Sequence, residues 1–260
     1  MNRLKRHLRR ASLVLLLGPL ASFANAADAI PTYKYARVTT VNITDRAALK
    51  NVMEAWTPFV KKEFPKYHTW QFRTDDSQRA SWVESGNELS DFERIDQEFQ
   101  TAVKKYQEMK LPDLRAAWLR SFIQVETTIW ENLPDLNYAP PGDNAWEQNF
   151  RMIGVFHLKP EKEQAFVDAL TAFNELDRRA GINHPRRVYK LRYGLDMPAI
   201  ALVTPAKDAA GYHTGFAKRQ ELRLKDPKGK ELLETLEQCV QRRENRHVTV
   251  HPEFSKRYGE

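Results

Sequence analysis

The sequence predicts an α+β protein made of two similar halves, each running strand–helix–strand–strand–helix–strand. Three observations carry that expectation. A turn-rich break occupies residues 133–144, with three prolines, one glycine and four Asp/Asn residues, which punctuate a chain rather than continue an element. The same order of strand and helix signals lies on either side of it. Matching residues also keep a nearly constant spacing: Ile43 with Leu158, Trp70 with Tyr189, Arg73 with Arg192 and Pro112 with Pro227 are 115 to 119 positions apart.

In the first half, residues 33–43 are rich in β-formers, and Thr44 stands where a helix cap belongs. The helix it would start carries Leu49, Val52, Met53, Trp56 and Val60, and Pro58 within that pattern predicts a kink or an early end. Strands are expected at 67–73 and 80–84, around a turn at Asp75 and Asp76. From Ser90, the residues Phe92, Ile95, Phe99, Val103 and Tyr106 recur at helical spacing. Pro112 restarts a helix through Leu114, Trp118 and Leu119, and a strand at 125–130 closes the half.

The second half repeats this order. Residues 150–158 form a strand with Phe150, Met152, Phe156 and Leu158 on one face. Pro160 suits the first turn of a helix carrying Phe166, Leu170, Phe173 and Leu176, which Gly181 can end. Strands follow at 187–193 and 199–203, then a helix from about Ala209, a helix restarted by Pro227, and a strand at 246–251. The expected division is a leader at 1–26, a first unit at 27–132, a linker at 133–144 and a second unit at 145–260.

Each half thus has the βαββαβ order of a ferredoxin-like unit. Such a unit covers one sheet face with helices and leaves the other bare, so two of them packed sheet-to-sheet bury both bare faces. In this respect the sequence resembles the dimeric α+β barrel superfamily, here as a tandem pseudo-dimer spanning residues 33–254. The superfamily includes cofactor-free monooxygenases of the antibiotic-biosynthesis type, haem-degrading enzymes and chlorite-dismutase-like proteins. The resemblance rests on element order and implies the barrel fold, with an oxygenase or a haem-handling enzyme as functional alternatives. In the haem-degrading members a strand Asn, a Trp and a helical His work together. Asn42, Trp70 or Trp82, and His213 are of those types, but their spacing does not match, so no role is carried over. A chlorite-dismutase-like reading needs a haem-ligating helical His, and His213 alone is placed near one.

The leader is read from its residues. Arg3, Lys5, Arg6, Arg9 and Arg10 precede a short apolar run broken by Gly18 and Pro19, and Ala24-Asn25-Ala26 offers a small-x-small cleavage pattern. The mature chain is therefore expected to start at Ala27, outside the cytoplasm: periplasmic in a Gram-negative cell, otherwise secreted. No later segment has the ~18 apolar residues of a membrane span. The formal charge of +7 falls to +2 without those five cations, which removes the bulk electrostatic case for a nucleic-acid partner. Cys239 is the single cysteine, so no internal disulfide is possible. Its place beside Leu232 and Leu236 on one helical face marks it as a small core residue.

Catalytic signatures are absent: there is no Walker loop, G-x-G-x-x-G, G-x-S-x-G, H-E-x-x-H or C-x-x-C, and the ten glycines do not cluster. His247 and His251 lie four apart in a strand, about 13 Å along it, too far to share an ion. No metal or cofactor is expected. What remains is the sheet face that would line the barrel, where aromatic walls and a few polar groups suit a small planar ligand. The candidate ligand residues are Asn42, Trp70, Arg73, Trp82, His157, Tyr189 and Arg192. Three functions follow as alternatives: an exported protein holding a small apolar or aromatic molecule between its halves, a cofactor-free oxygenase using His68, His157 or His213, or a cell-envelope interaction module.

Overall fold

Eight strands and six helices arise where these patterns place them. The computed structural model describes residues 33–64, 69–109, 114–140, 145–194 and 196–257. The expected leader, His68, Pro112 and residues 141–144 of the expected linker lie outside the described residues.

The first half contributes β1 (Tyr35–Ile43), α1 (Arg46–Glu63), β2 (Trp70–Asp75), β3 (Arg79–Gly86), α2 (Ser90–Glu108), α3 (Arg115–Ser121) and β4 (Phe122–Asn132). The second contributes β5 (Phe150–Leu158), α4 (Glu163–Arg179), β6 (Arg187–Tyr193), β7 (Ala199–Ala206), α5 (Ala209–Leu224), α6 (Pro227–Cys239) and β8 (Val240–Val250). All strand pairs are antiparallel, and the order β1-β3-β2-β8-β5-β7-β6-β4 closes into one barrel. Each half keeps the ferredoxin-like order, and the two sheets join at both edges. Arg73 of β2 lies opposite Val250 of β8, and Asn132 of β4 lies opposite Tyr189 of β6. Pairing at these edges satisfies backbone groups that two separate sheets would leave open.

Local chemistry sets the helix ends. Asp45, one residue beyond the expected Thr44, caps α1 by accepting from the Ala48 N–H at 2.9 Å. Pro58 neither ends α1 nor breaks it. Its missing N–H removes one intrahelical bond, but Val60 beyond it is buried and its carbonyl accepts from the Phe64 N–H, which holds the last turn. Pro160 falls before α4, which begins at Glu163, and Gly181 ends that helix in the left-handed region at φ +64°. Pro227 occupies the first turn of α6, behind an Asp226 cap.

Alternation along the strands creates two faces. On the outer face Val41, Ile43, Phe72 and Ala80 pack against Leu49 and Met53 of α1, and Leu158, Val188 and Ile200 pack against Phe166 and Leu170 of α4 with Cys239. On the inner face Val155, Leu191, Ala199 and Ala201 meet Trp130, Ile153 and Tyr189, which fills the middle of the lumen between the halves. The connection after β4 is anchored to the second half. Leu136 and Tyr138 are buried, and the Tyr138 hydroxyl donates to the Ile182 carbonyl at 2.7 Å.

Candidate functional site

A cavity of about 1240 Å³ lies on the outer face of the first half, between its sheet and helices α1, α2 and α3. The sheet supplies Thr39, Val41, Trp70 and Trp82; the helices supply Trp56, Val60, Phe99, Tyr106 and Trp118. The aromatic side chains brace one another: Trp56 and Tyr106 meet edge to face with ring centroids 5.1 Å apart, and Trp82 and Trp118 are tilted at 5.4 Å. A large apolar cavity with rigid aromatic walls is what a small organic ligand needs.

Segments of its wall are tied to the far end of the second half. The Trp70 indole N–H donates to the Phe254 carbonyl at 3.0 Å, and the buried Lys256 ammonium donates to the Phe64 carbonyl at 2.8 Å. Ser255 accepts from the Phe72 N–H at 2.9 Å.

One corner is polar. Arg37 donates through Nε to Glu84 at 2.7 Å and through both terminal nitrogens to Asp96, at 2.8 and 2.7 Å. Two carboxylates therefore share one guanidinium at the cavity wall. Burial pushes the Glu84 carboxyl up; Arg37 opposes this and Asp96 adds to it, and the net displacement is upward. Burial also pushes up the Tyr106 phenol. Thr57 of α1 is among the lining residues, and its hydroxyl is buried without a partner, although a helical Thr can usually bond back to its own helix. The lining, among the described residues, holds no histidine or cysteine, the commonest axial ligands of haem iron. Among the described residues no three His, Cys, Asp or Glu side chains are placed to share a metal ion.

The structure divides the sequence-derived candidates among four places. Trp70 and Trp82 line the cavity. Arg73 and Tyr189 face the lumen near its β5-start end, as their pairings with Val250 and Ala201 require. Asn42 and His157 lie at the opposite end, each beside a bulge. Asn42 donates to Gln124 at 2.9 Å, while His157 binds Glu244 at 3.0 Å and the Asp196 carbonyl at 3.1 Å. Arg192 is outside the lumen altogether and pairs with Glu131.

Two expectations are corrected here. The large cavity lies within the first half and not between the halves, because the middle of the lumen is packed. The matches Trp70 with Tyr189 and Arg73 with Arg192 are displaced by three residues. By strand pairing Arg73 corresponds to Tyr189, and an odd displacement moves a side chain to the other sheet face.

The sequence missed Arg37, Glu84, Asp96 and Thr57. A usable signal existed: Arg37 and Glu84 interrupt otherwise apolar outer-face positions on neighbouring strands. It also missed that His213 and His247 meet at 3.1 Å with Asp76 behind His247, so His213 is held away from Asn42 and Trp82.

Known structures share this architecture. An anthrone oxidase-like protein superposes with a TM-score of 0.56 at 14% identity, over 89% of this chain and 96% of its own. The fold is that of a dimeric α+β barrel, with both halves in one chain. A candidate monooxygenase from Fusobacterium nucleatum subsp. nucleatum gives 0.52 at 11% identity, covering 84% of this chain and 93% of its own. Another, from Lactobacillus acidophilus NCFM, gives 0.51 at 9%, covering 88% and 98%. No protein-family model and no curated protein matches the sequence.

Proposed function

We propose that this protein, after export, binds a small, largely apolar molecule with aromatic character in the cavity of its first half. The observation that carries the reading is the braced aromatic wall around about 1240 Å³. An apolar cavity gains affinity from the area that a ligand and its walls remove from water. Arg37, Glu84 and Asp96 supply a charged corner against which a polar end of the molecule can be oriented.

Absorbance and mass spectrometry on natively purified protein test this. A stoichiometric organic molecule, released on denaturation and lost in Trp82→Ala, is the expected result. A ligand-free protein whose Trp emission no hydrophobic probe quenches saturably would sink the reading.

A second reading, a cofactor-free oxygenase, is favoured by Glu84. A carboxyl raised by burial at the edge of an apolar cavity suits removal of a proton from a carbon acid. The monooxygenase names of similarly folded proteins point the same way. Oxygen consumption with an extracted ligand, abolished in Glu84→Gln while ligand binding persists, separates an enzyme from a carrier.

A further inference from the structure

The lumen end at the start of β5 carries a charge arrangement that the aromatic cavity does not use. Arg73 of β2, Arg151 of β5 and Arg187 of β6 all face inward there. Their strands are separated by β8 and by β7, so the three side chains arrive from different directions around one arc. Arg151 is buried, with only 5% of its surface exposed, and Arg73 and Arg187 are half-buried.

None of the three forms an ion pair with a carboxylate among the described residues. Arg151 donates to backbone carbonyls of Trp146, Gln148 and Phe150, and Arg73 donates to the Gln71 side-chain amide at 2.6 Å. Arg187 stacks on Trp146 with its guanidinium carbon 4.3 Å from the ring centre, and the Arg151 carbon is 5.3 Å from the same ring. Asp75, on the same face of β2 as Arg73, is already committed to Arg79 at 2.8 Å and to two backbone N–H groups.

The other end of the lumen is built differently. There His157, Arg242 and Arg246 are matched by Glu244 and Asp196. Cations at one end are neutralised in place; those at the other are fixed by neutral acceptors and an aromatic ring, which hold guanidinium groups still without cancelling their charge. Burial, then mutual repulsion with Arg187, lowers Arg73 to about 10, and burial with Arg73 and Arg187 lowers Arg151 to about 10. Both remain cations at neutral pH. Uncompensated charge held in a protein interior is costly, and a resident anion removes that cost.

We propose that Arg73, Arg151 and Arg187 form a second binding site, at the mouth of the barrel lumen, for a small tetrahedral oxyanion of the phosphate type. Arg187 offers a guanidinium fork, which matches phosphate oxygens. Arg73 and Arg151 add their charge and the donors that Gln71 and the backbone carbonyls leave free. Three cations placed around an arc suit a tetrahedral group better than a flat carboxylate. Trp146, against both Arg151 and Arg187, holds these two guanidinium groups in place.

Calorimetric titration of the full chain with inorganic phosphate tests this, at ionic strength matched with sodium chloride and with succinate as the flat comparator. One saturable phosphate site is expected, with affinity at least tenfold lower in Arg73→Gln and Arg187→Gln and unchanged in Arg192→Gln, whose side chain lies outside the lumen. Arg187→Lys, which keeps the charge and loses the fork, is expected to fall between. Without phosphate, Arg73→Gln should unfold at the same or a higher temperature, because it relieves repulsion. Equal phosphate binding in wild type and both glutamine variants, no saturable binding, or a preference for succinate would overturn the proposal. A fall in stability of Arg73→Gln with no phosphate dependence would overturn it too, as the mark of a purely structural arginine.

Discussion

The outer faces of the two halves bury matching positions and put opposite chemistry there. On α1 the buried residues Leu49, Val52, Met53, Thr57 and Val60 recur 117 positions later on α4 as Phe166, Ala169, Leu170, Asn174 and Asp177. On α2, Ile95, Ala102 and Tyr106 recur on α5 as Tyr212, Arg219 and Arg223. Strand pairing matches Trp70 with Arg186. Val60, Tyr106 and Trp70 therefore border an open cavity, while Asp177, Arg223 and Arg186 fill the corresponding place with a buried ion cluster. Asp177 accepts from Arg223 at 2.7 and 2.8 Å and from Arg186 at 2.7 Å. The larger Phe166 in place of Leu49 adds to the contrast. One copy of the fold is closed by ions and bulk, which leaves the other free to stay hollow.

The sharpest test of that comparison is Asp177→Ala. It leaves Arg186 and Arg223 buried without their carboxylate and should cost about 3–5 kcal/mol in urea unfolding. A loss under about 1 kcal/mol would mean the cluster does not close the second half.

Next come the equivalent residues Leu170 and Met53. Leu170→Ala opens a void in a packed core and should cost about 3 kcal/mol. Met53 already borders empty space, so Met53→Ala should cost about 1 kcal/mol, and equal losses would break the comparison.

A pH series sharpens it further. Burial, followed by Arg219, Arg186 and Arg223, pushes His184 down to about 3. Between that value and its ordinary 6.5 the unfolded chain binds a proton that the folded chain refuses. Stability is thus lost as pH falls from 6.5 towards 3, by up to about 1.4 kcal/mol per pH unit from this residue. His184→Gln should flatten that slope, and a slope unchanged in the variant would show that His184 accepts its proton when folded.

The smallest effect belongs to the hollow half. Thr57→Val removes an unpaired buried hydroxyl and should stabilise the protein by about 1 kcal/mol in urea unfolding. Destabilisation by the swap would give the hydroxyl a structural partner.

The barrel was legible because hydrophobic period, turn residues and a repeat of about 117 residues are properties of the chain itself. Leu49 and Phe166, or Ile95 and Tyr212, declare their equivalence by spacing alone. The site was only partly legible. Trp70 and Trp82 stood out as bulky strand residues, but which sheet face they share depends on register. Register is set by pairings such as Asn132 with Tyr189 and by the bulge between Ile129 and Trp130, neither of which any single residue type announces. Arg192 went to the wrong face for that reason. Arg37, Glu84 and Asp96 come together across separations of 47 and 59 positions, beyond the reach of any local pattern.

The Trp70–Phe254 and Lys256–Phe64 bonds have a consequence for how the molecule is made. The cavity belongs to the first half, yet two of its lining residues, Trp70 and Phe64, are tied down by residues translated some 184 and 192 positions later. In a nascent chain those ties are missing and the outer edge of β2 stays unpaired until Val248–Val250 and the segment behind them emerge. A chain interrupted before Phe254 would carry every aromatic wall residue and lack both anchors, so the wall gains its full support only at the end of synthesis.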